Sequence, residues 1–527
     1  MRPQERILPT YDTIIVGAGS AGSILAARLT EDVERSVLLL EAGRDYQDPA
    51  TLPDEVKYGY GPRRPFPVSP ISENKWSFVA RYTDEAPARL LPRGRVTGGS
   101  SAVNAQILLR GAPEDYDEWA AMGNDEWSFH KLLPYFNRFE RDLNFDGDFH
   151  GSNGPIPVNR FSKEEMNADQ QAFYDACLDY GFRDCPDHND PDSTGVGPTP
   201  LNNVDGVRWS TAMGYLSEAR ERPNLKIASR TQARRVVFEG RRAVGVEVES
   251  GGGVVTYHAD EVVLAGGAIG SPHLLLLSGV GPADHLVENG IDVVQDMPGV
   301  GQNLRDHPQV AVKWRTREGY RHDTNNATMQ TMLRYTASGS HIRNDMLIHP
   351  TSFCVFNLFP GKLEPNTELG VNMVVCLDLA AGSGSLELRC DDYRIQPRLD
   401  YNFLVNPFDR QRMREGVHIV LELSEHPRYQ ELLAERVDPD EADLESDDSL
   451  DTWMRSRVST SHHVSGTCKM GPTSDDMAVV DQYGHVHVLD GLRVVDASIM
   501  PDCIRANTNA TTLAIGERVA DFMRVGM

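Results

Sequence analysis

Two adjacent histidines and two closely spaced asparagines near the C-terminus could carry out acid–base chemistry. His462 and His463 precede the sequence Val-Ser-Gly-Thr, and Asn507 and Asn509 lie on either side of a threonine. Histidine suits a general base because its unperturbed pKa lies near neutral pH, and an asparagine amide can donate a hydrogen bond to a developing alkoxide. The set therefore predicts removal of a proton from a hydroxyl group.

The spacing of these residues predicts how their side chains are oriented. Neighbouring residues of an extended chain point to opposite sides, so only one of the two histidines should face the reacting atoms. Asn507 and Asn509 are two residues apart and share a face if their segment is extended, ahead of a terminal helix from about Thr512 to Met523. An asparagine-rich turn before that helix is the alternative interpretation.

An element near the N-terminus is typical of nucleotide binding. An apolar run ends in G-x-G-x-x-G at Gly17, Gly19 and Gly22, and a second apolar run, residues 37–40, ends in Glu41. Strand, glycine turn, helix and strand with a terminal acid form the βαβ unit that binds a dinucleotide. The helix should point its N-terminal amides at the pyrophosphate, and Glu41 should accept hydrogen bonds from the ribose. The pattern does not distinguish NAD from FAD.

Six further segments, spread in order over nearly the whole chain, resemble the glucose–methanol–choline (GMC) flavoprotein oxidoreductases. They are residues 94–104, 267–281, 299–307, 463–467, 495–498 and 507–509. The resemblance implies FAD as the cofactor and an α/β fold, in which a Rossmann-like FAD-binding domain is interleaved with a sheet-and-helix substrate domain. It also implies oxidation of an alcohol to an aldehyde, with hydride transfer to the flavin N5.

The resemblance also implies roles for the polar residues near the C-terminus. His463 heads the family sequence H-x-x-G-T and is expected to be the catalytic base. Asn509 is matched to the position that is His or Asn in the family, and its amide should bind the substrate oxygen. His462, Gln309 and Asn507 are expected to line the substrate pocket.

Most of the expected cofactor contacts lie in the glycine turn, the first GMC segment and the C-terminal segments. Ala233 should offer backbone atoms to the adenine, and Asp496 should meet the ribityl–pyrophosphate region. The residues expected to contact FAD are Gly17, Gly19, Ser20, Ala21, Gly22, Glu41, Trp76, Gly99, Ser100, Asn104, Ala105, Gln106, Ile107, Ala233, Asp496, Ala497, Ala510 and Thr511.

Two positions depart from the choline-oxidising branch of the family. That branch has a histidine that bonds covalently to the flavin, and the matching residue here is Val103, so FAD should be bound non-covalently. It also has a glutamate that pairs with the quaternary ammonium, and the matching residue here is Gln309. Because a buried cation without a counter-charge is costly, we expect a neutral primary alcohol, such as an aryl, furan or medium-chain one, rather than choline.

Alternative functions within the family remain open. Choline dehydrogenase is one, because the Cys468-Lys-Met-Gly471 segment resembles bacterial choline dehydrogenases. A non-redox lyase and a light-driven fatty acid decarboxylase are more remote. Cys376 matches the reactive cysteine of the decarboxylase, but that branch lacks the histidine and the asparagine pair. The electron acceptor is either oxygen or a quinone or other electron carrier.

The alternation of nucleotide-binding and other segments predicts the domain boundaries. Residues 1–153, 200–306 and 460–527 should form the FAD-binding domain, and residues 154–199 and 307–459 the substrate-binding domain. Within the first, residues 225–229 and 236–249 alternate apolar and polar side chains like antiparallel strands, and within the second, residues 407–426 predict an amphipathic helix.

Composition restricts the partners. The net charge of −25 argues against nucleic acid and anionic membranes, and no run of 18 apolar residues predicts a membrane span. The N-terminus lacks the apolar core of a signal peptide, which predicts a cytoplasmic location. Seven scattered cysteines without C-x-x-C spacing predict reduced thiols and no metal site. A small-molecule substrate and a monomer or homodimer are expected.

Overall fold

The computed structural model describes residues 10–64, 69, 71–355 and 368–527. In these ranges the strands are β1 (Thr10–Val16), β2 (Val37–Leu40), β3 (Lys75–Ala80), β4 (Arg89–Gly94), β5 (Glu140–Asp142), β6 (Ile156–Val158), β7 (Gly195–Pro198), β8 (Asn203–Val204), β9 (Val207–Arg208), β10 (Leu225–Ala228), β11 (Thr231–Glu239), β12 (Arg242–Ser250), β13 (Gly253–Leu264), β14 (Val280–Gly281), β15 (Gln295–Asp296), β16 (Pro308–Thr316), β17 (Thr331–Tyr335), β18 (Met346–Val355), β19 (Leu369–Leu377), β20 (Ser385–Glu387), β21 (Arg398–Asp400), β22 (Leu433–Asp438), β23 (Ser459–Thr460) and β24 (Leu492–Val494).

The α-helices of the same ranges are α1 (Ser20–Leu29), α2 (Asp54–Lys57), α3 (Pro113–Ala121), α4 (Phe129–Phe139), α5 (Ala168–Tyr180), α6 (Ser217–Ala219), α7 (Gly267–Leu277), α8 (Ala283–Glu288), α9 (Pro407–Ser424), α10 (Pro427–Gln430), α11 (Asp447–Arg457) and α12 (Thr508–Arg524). Short 3-10 turns lie at Pro49–Thr51, Gly99–Ala102, Asp125–Trp127, Lys163–Glu165, Ala442–Leu444 and Ala497–Ile499, and a π-helical turn at Ala212–Leu216. In the described ranges no helix has the length and apolarity to cross a bilayer.

The first large sheet contains the βαβ unit. Its strand order is β10-β2-β1-β13-β12-β11, with β24 beside β13. β2 is buried along its whole length, as expected of a strand in a parallel sheet that is covered on both faces. The expectation of an antiparallel strand from residue 225 is wrong. β10 pairs with β2 in parallel, because the chain enters it after a long crossover rather than a hairpin.

The second large sheet is built from other parts of the chain. Its order is β22-β16-β19-β18-β17-β7, with β23 beside β16, and neighbouring strands are antiparallel. α5 and α9 pack against it. The strands of the first sheet lie between residues 10 and 264 and at 492–494, and those of the second at 195–198 and between 308 and 460. The exact domain boundaries stay a prediction.

The two ends of the described chain meet in the first domain. α12 packs against α1, and Gly516 allows the close approach because an added Cβ would lie 3.1 Å from the Cα of Ala21. α12 begins at Thr508, four residues earlier than the sequence predicts. This packing brings Asn509 beside the glycine turn, and the helical start separates the direction of its side chain from that of Asn507.

Candidate active site

A cavity of about 840 Å³ extends from the glycine turn to His463. A volume of this size is typical of a cofactor or ligand cleft. It is lined by residues that are far apart in sequence, namely 16–21 and 40–42, 75–78, 92–107, 231–233, 264–277, 389–396, 461–464, 496–497 and 507–512 in part. The lining therefore depends on both ends of the chain and on a segment of the region assigned to the substrate domain.

The glycine turn has the shape that a dinucleotide needs. Gly17 has a φ of +109°, and a Cβ there would lie 2.4 Å from the carbonyl oxygen of Ala265. A Cβ at Gly22 would lie 1.9 Å from the carbonyl oxygen of Gly17, so this residue allows α1 to pack on the turn. At Gly19 the protein leaves space, with Ala265 O at 3.8 Å, and no side chain caps the first turn of α1. The open amides can therefore meet a pyrophosphate.

Two buried carboxylates stand at the nucleotide end of the cavity. Glu41 accepts hydrogen bonds from the amides of Ala18 (3.1 Å) and Gly43 (2.7 Å), and burial raises its pKa. Asp496 accepts hydrogen bonds from the amide of Gly267 (2.8 Å) and the hydroxyl of Ser271 (2.6 Å), and burial also raises its pKa. Both acids are held by the protein and line the cavity.

The structure places most of the residues expected to contact FAD on the cavity wall. Three are not on the wall: Gly22 lies behind the turn, and Ala510 and Thr511 point away from the cavity. Thr511 is instead hydrogen-bonded to the hydroxyl of Tyr116 at 2.7 Å. In the first turn of α12 the helical period exposes Thr508 and Thr512 to the cavity in their place. The expected residues on the wall are Gly17, Gly19, Ser20, Ala21, Glu41, Trp76, Gly99, Ser100, Asn104, Ala105, Gln106, Ile107, Ala233, Asp496 and Ala497.

The sequence interpretation missed two parts of the wall. One is α7 with the residue before it, from which residues 266–271, 273, 274 and 277 line the cavity. Burial lowers the pKa of His273, which is among them, to about 4. The second GMC segment was the signal that could have found it. The other is residues 389–396, with Arg389, Tyr393 and Arg394. No local pattern marks that segment, because only the fold brings it beside the nucleotide end.

His463 is held between two other polar side chains. Its Nδ1 lies 2.8 Å from Nδ1 of His307, and its Nε2 lies 2.9 Å from Nδ2 of Asn507. The backbone amides of His307 and His463 both donate to Oδ1 of Asp306, at 2.7 and 2.9 Å. Asp306 thus fixes the distance between the two rings. His307 was not among the expected site residues, although it lies in the GMC segment 299–307.

The hydrogen-bond partners determine where the ring protons lie. Nε2 of His307 is 2.7 Å from the carbonyl oxygen of Ile504, which only accepts, so this nitrogen carries a hydrogen. The amide nitrogen of Asn507 only donates, so Nε2 of His463 accepts and carries none. When both rings are neutral, the hydrogen of His463 is then on Nδ1, donated to His307. The unprotonated Nε2 faces Asn507 and the cavity, as a general base requires.

Asn507, and not Asn509 as expected, is the asparagine that contacts the base. Asn507 contacts His463, whereas Oδ1 of Asn509 accepts a hydrogen bond from Ser20 at 2.8 Å. The expectation that they share a face required an extended segment, and the helix that begins at Thr508 turns Asn509 towards α1. The structure therefore joins Asn507 to the base and Asn509 to the glycine turn.

The two histidines do not point to opposite sides. His462 has a φ of +65°, which breaks the extended geometry, and both rings line the cavity. The carbonyl of His462 accepts a hydrogen bond from Arg93 at 2.6 Å. Burial lowers the pKa of His462 to about 4. Burial, together with competition with His307 for a proton, lowers the pKa of His463 well below its usual value. Both rings are therefore neutral bases near neutral pH.

Gln309 does not reach the cavity wall. Its Oε1 accepts a hydrogen bond from Ser461 at 3.0 Å and lies 3.5 Å from the thiol of Cys376. Ser461 lines the cavity in front of it. The carboxamide at position 309 can thus affect a substrate only through Ser461. Cys376 is buried, and burial raises the pKa of its thiol, as in a structural cysteine.

Comparisons with known proteins agree with this geometry. Family models described as GMC oxidoreductase match residues 11–309 and 380–516. An uncharacterised GMC-type oxidoreductase from Rhodococcus erythropolis is 38% identical over 514 residues, 97% of this chain and 98% of its own length. An oxygen-dependent choline dehydrogenase from Burkholderia pseudomallei (strain 1710b) is 37% identical over 545 residues, 98% of this chain and 94% of its own.

A solved structure shares the whole fold. The crystal structure of pyridoxine 4-oxidase from Mesorbium loti superposes with a TM-score of 0.89 at 30% identity, covering 98% of this chain and 99% of that one. Together with the glycine turn and the 840 Å³ cavity, these matches support the expected cofactor and fold. The chain belongs to the GMC oxidoreductase family and is an FAD-binding oxidoreductase.

Proposed function

We propose that this protein oxidises a neutral primary alcohol to an aldehyde, with His463 as the base. The observation that carries the proposal is the unprotonated Nε2 of His463, which lies 2.9 Å from the amide of Asn507 on the cavity wall. A hydroxyl group that enters between the base and the amide replaces the hydrogen bond that joins them. The base then takes the proton while the amide donates to the oxygen.

The residues around the cavity divide the work. FAD, when bound, supplies the acceptor for the hydride of the alcohol carbon. The amides of the first turn of α1, the space at Gly19 and the lining residues near Ala233 would hold its dinucleotide part. Asn507 orients the hydroxyl, and His463 receives its proton. Val103, on the cavity wall, has no nucleophilic atom, which supports non-covalent binding.

The charge around the cavity favours a substrate without positive charge. Among the described lining residues the only acids are Glu41 and Asp496, and both are at the nucleotide end. The same wall carries Lys75, Arg93, Arg389 and Arg394. A trimethylammonium group beside His463 would therefore find no described carboxylate on the cavity wall other than Glu41 and Asp496. Two of the aromatic rings on the wall already have a guanidinium over them, since Arg95 lies 4.5 Å from the centre of the Trp76 ring and Arg234 lies 5.0 Å from that of Tyr393.

Choline oxidation is the second candidate function. It is favoured by the 37% identity to a choline dehydrogenase over nearly the whole chain. The replacement of the expected glutamate by Gln309, turned towards Ser461, counts against it. A radical decarboxylation would not need the base and amide pair that His463 and Asn507 form, and a non-redox lyase would leave the flavin oxidised when an alcohol is added.

A substrate screen tests the proposal. Benzyl alcohol, hydroxymethylfurfural, a medium-chain alcohol and choline are compared by kcat/KM, in parallel with oxygen and with an artificial electron acceptor. We expect the neutral alcohols to exceed choline and to bleach the flavin when added anaerobically. A choline kcat/KM equal to or above theirs would instead support the choline dehydrogenase function, and absence of bleaching by every alcohol would reject alcohol oxidation.

A further inference from the structure

A buried carboxylate lies beside the His307–His463 pair. Asp378 directly follows β19, and the antiparallel register of β19 and β16 places Cys376 opposite Gln309. Continued by two residues, the same register places Asp378 opposite His307. The observed distance between Oδ1 of Asp378 and Nδ1 of His307 is 3.8 Å, and their side chains are 4% and 1% exposed.

The hydrogen-bonding capacity of Asp378 is not used up by the fold. Its Oδ2 is buried and has no hydrogen-bond partner among the described residues. Buried carboxylate oxygens are normally paired, so an unpaired one beside an active-site ring calls for an explanation. Asp306, by contrast, uses both its oxygens, on two backbone amides and on the hydroxyl of Thr460.

The charged groups around Asp378 come from several elements. Besides His307 they are Arg334 on β17, Asp115 on α3, Asp345 before β18 and the thiol of Cys376 on β19. Arg334 donates its hydrogen bonds to Ser193 and to the carbonyls of His188 and Arg505. Burial raises the pKa of Asp378 to about 6, against the lowering effect of His307 and Arg334. Asp378 is therefore an anion above that pH.

The surroundings of the two rings differ in the charge they favour. Burial would lower the pKa of His307, but Cys503 and Asp378 raise it above its usual value. The pKa of His463 is lowered by burial and by His307. A proton shared by the pair is consequently held more strongly on His307, the ring farther from Asn507.

We propose that Asp378 is the counter-charge that lets the proton taken from the substrate rest on His307 rather than on His463. The form that reacts is the one in which both rings are neutral. In it, the O–H bond of the alcohol breaks, and its proton binds Nε2 of His463. The hydrogen on Nδ1 of His463 moves over 2.8 Å to Nδ1 of His307, whose Nε2 hydrogen stays on the carbonyl of Ile504. His307 becomes an imidazolium beside the Asp378 carboxylate, and His463 is neutral again.

The test replaces Asp378 by Asn, which keeps the shape and removes the charge. The rate of flavin reduction is measured against pH in the holoenzyme. The acid limb of this profile is the fall in rate as the histidine pair becomes protonated. An opposite charge at this distance raises the pKa of a histidine by roughly one to three units. We therefore expect the acid limb of Asp378→Asn to lie at a pH lower by about that amount. We also expect a limiting rate roughly three- to tenfold lower, since the pair becomes a weaker base. Asp378→Glu keeps the charge and should keep the limb within about half a unit.

A matched control is Asp345→Asn. Asp345 is also fully buried, but its carboxylate is bound by Arg412 at 2.9 Å and by Ser340, and it does not contact His307. This change should lower thermal stability and leave the acid limb in place. An unmoved limb in Asp378→Asn, or one that moves equally in Asp345→Asn, would overturn the proposal.

The inference rests on the proposed role of His463, and a second measurement separates the two. In protein labelled with ¹⁵N-histidine, the ring nitrogens of His307 are assigned with His307→Gln and titrated by NMR. Asp378→Asn should lower the titration midpoint of His307 even if no alcohol is oxidised. A midpoint that does not move would reject the Asp378–His307 coupling, whatever the substrate screen shows.

Discussion

The side chain of His150 is buried and His463 is half-buried, and their surroundings shift their pKa values in opposite directions. Nε2 of His150 lies 2.9 Å from Asp187, and its Nδ1 lies 3.3 Å from Asp142 and 3.5 Å from Glu140. Burial would lower the pKa of this ring, but the three carboxylates raise it to about 11. His463, which has no carboxylate of this kind against its ring, has a lowered pKa. The same residue type is thus a fixed cation in one place and a neutral base in the other.

The charge balance explains why the His150 cluster is structural. Arg110 donates to Glu140, and Arg160 donates to Asp142 and Asp187, so three carboxylates and two guanidinium groups leave one negative charge for a protonated His150 to neutralise. Glu140, Asp142 and His150 could share a cation by distance, since their ligand atoms lie within 4.8 Å of one another. Because the arginines already occupy the carboxylates, we interpret the cluster as an ion network.

The comparison teaches that burial alone does not make a catalytic histidine. Burial lowers the pKa of the ring at both sites, and the number of neighbouring carboxylates determines whether the net shift is down or up. A neutral ring with a free nitrogen on a cavity wall can take a proton, whereas a ring that is charged at every physiological pH can only hold neighbouring segments together.

Replacement of His463 should have the largest effect. We expect His463→Ala to lower the rate of flavin reduction by roughly two to four orders of magnitude, the usual scale for loss of a general base, while FAD stays bound. His462→Ala should act mainly on substrate affinity. Stopped-flow reduction with a neutral alcohol distinguishes them, and an exchange of the two phenotypes would show that the wrong ring was assigned as the base.

Substitution of Asn507 and Asn509 tests which of the two asparagines acts in catalysis. Asn507→Ala should lower the limiting rate of flavin reduction by roughly 10²-fold, since one donor to the developing alkoxide is lost. Asn509→Ala, which removes the acceptor of the Ser20 hydrogen bond, should act on FAD retention instead. The readouts are stopped-flow kinetics and the fraction of flavin that remains after gel filtration. A rate loss confined to Asn509→Ala would restore the role that the sequence resemblance implied for it.

Replacement of His150 should affect stability and not chemistry. His150→Gln leaves buried carboxylates without their cation, which typically costs about 3–5 kcal/mol of unfolding free energy. Flavin reduction per folded molecule should stay within about twofold of wild type, well inside the scale of a catalytic loss. The exposed His130 provides a matched control, since His130→Gln should change neither quantity. A rate loss in His150→Gln without a stability loss would contradict the structural role of His150.

The smallest expected effect is on the pH dependence of stability. The folded pKa of His150, about 11, lies above the unfolded value of about 6.5, so its contribution is complete below about pH 6.5 and lost as the pH rises towards 11. The folded pKa values of His188 and His462, about 3 and 4, lie below that value, so their contribution is present above about pH 6.5 and lost as the pH falls.

Denaturant unfolding of the holoenzyme over a pH series measures both limbs. His150→Gln should flatten the alkaline loss and leave the acid loss, and replacement of the buried His188 by Gln should do the reverse. If both variants changed the same limb, at least one of the two shifts would have the wrong sign.

The amino-acid sequence by itself determined the features that depend on neighbouring residues. G-x-G-x-x-G between apolar runs predicted β1, α1 and β2 closely, because turn geometry and side-chain periodicity act over a few residues. The GMC segments identified the family and FAD, which the comparisons confirm. His463 was selected by its place in H-x-x-G-T, and its catalytic role stays a prediction.

Tertiary structure decided which polar groups meet. His307 lies 156 residues from His463 in the chain, and only the pairing of β16 with β23 and β19 brings it and Asp378 together. α12 begins at Thr508 because it packs on α1, and Asn507 rather than Asn509 therefore contacts His463. The φ of +65° at His462 places both His462 and His463 on the wall of the same cavity. These outcomes depend on contacts between distant segments, and no local pattern in the sequence records them.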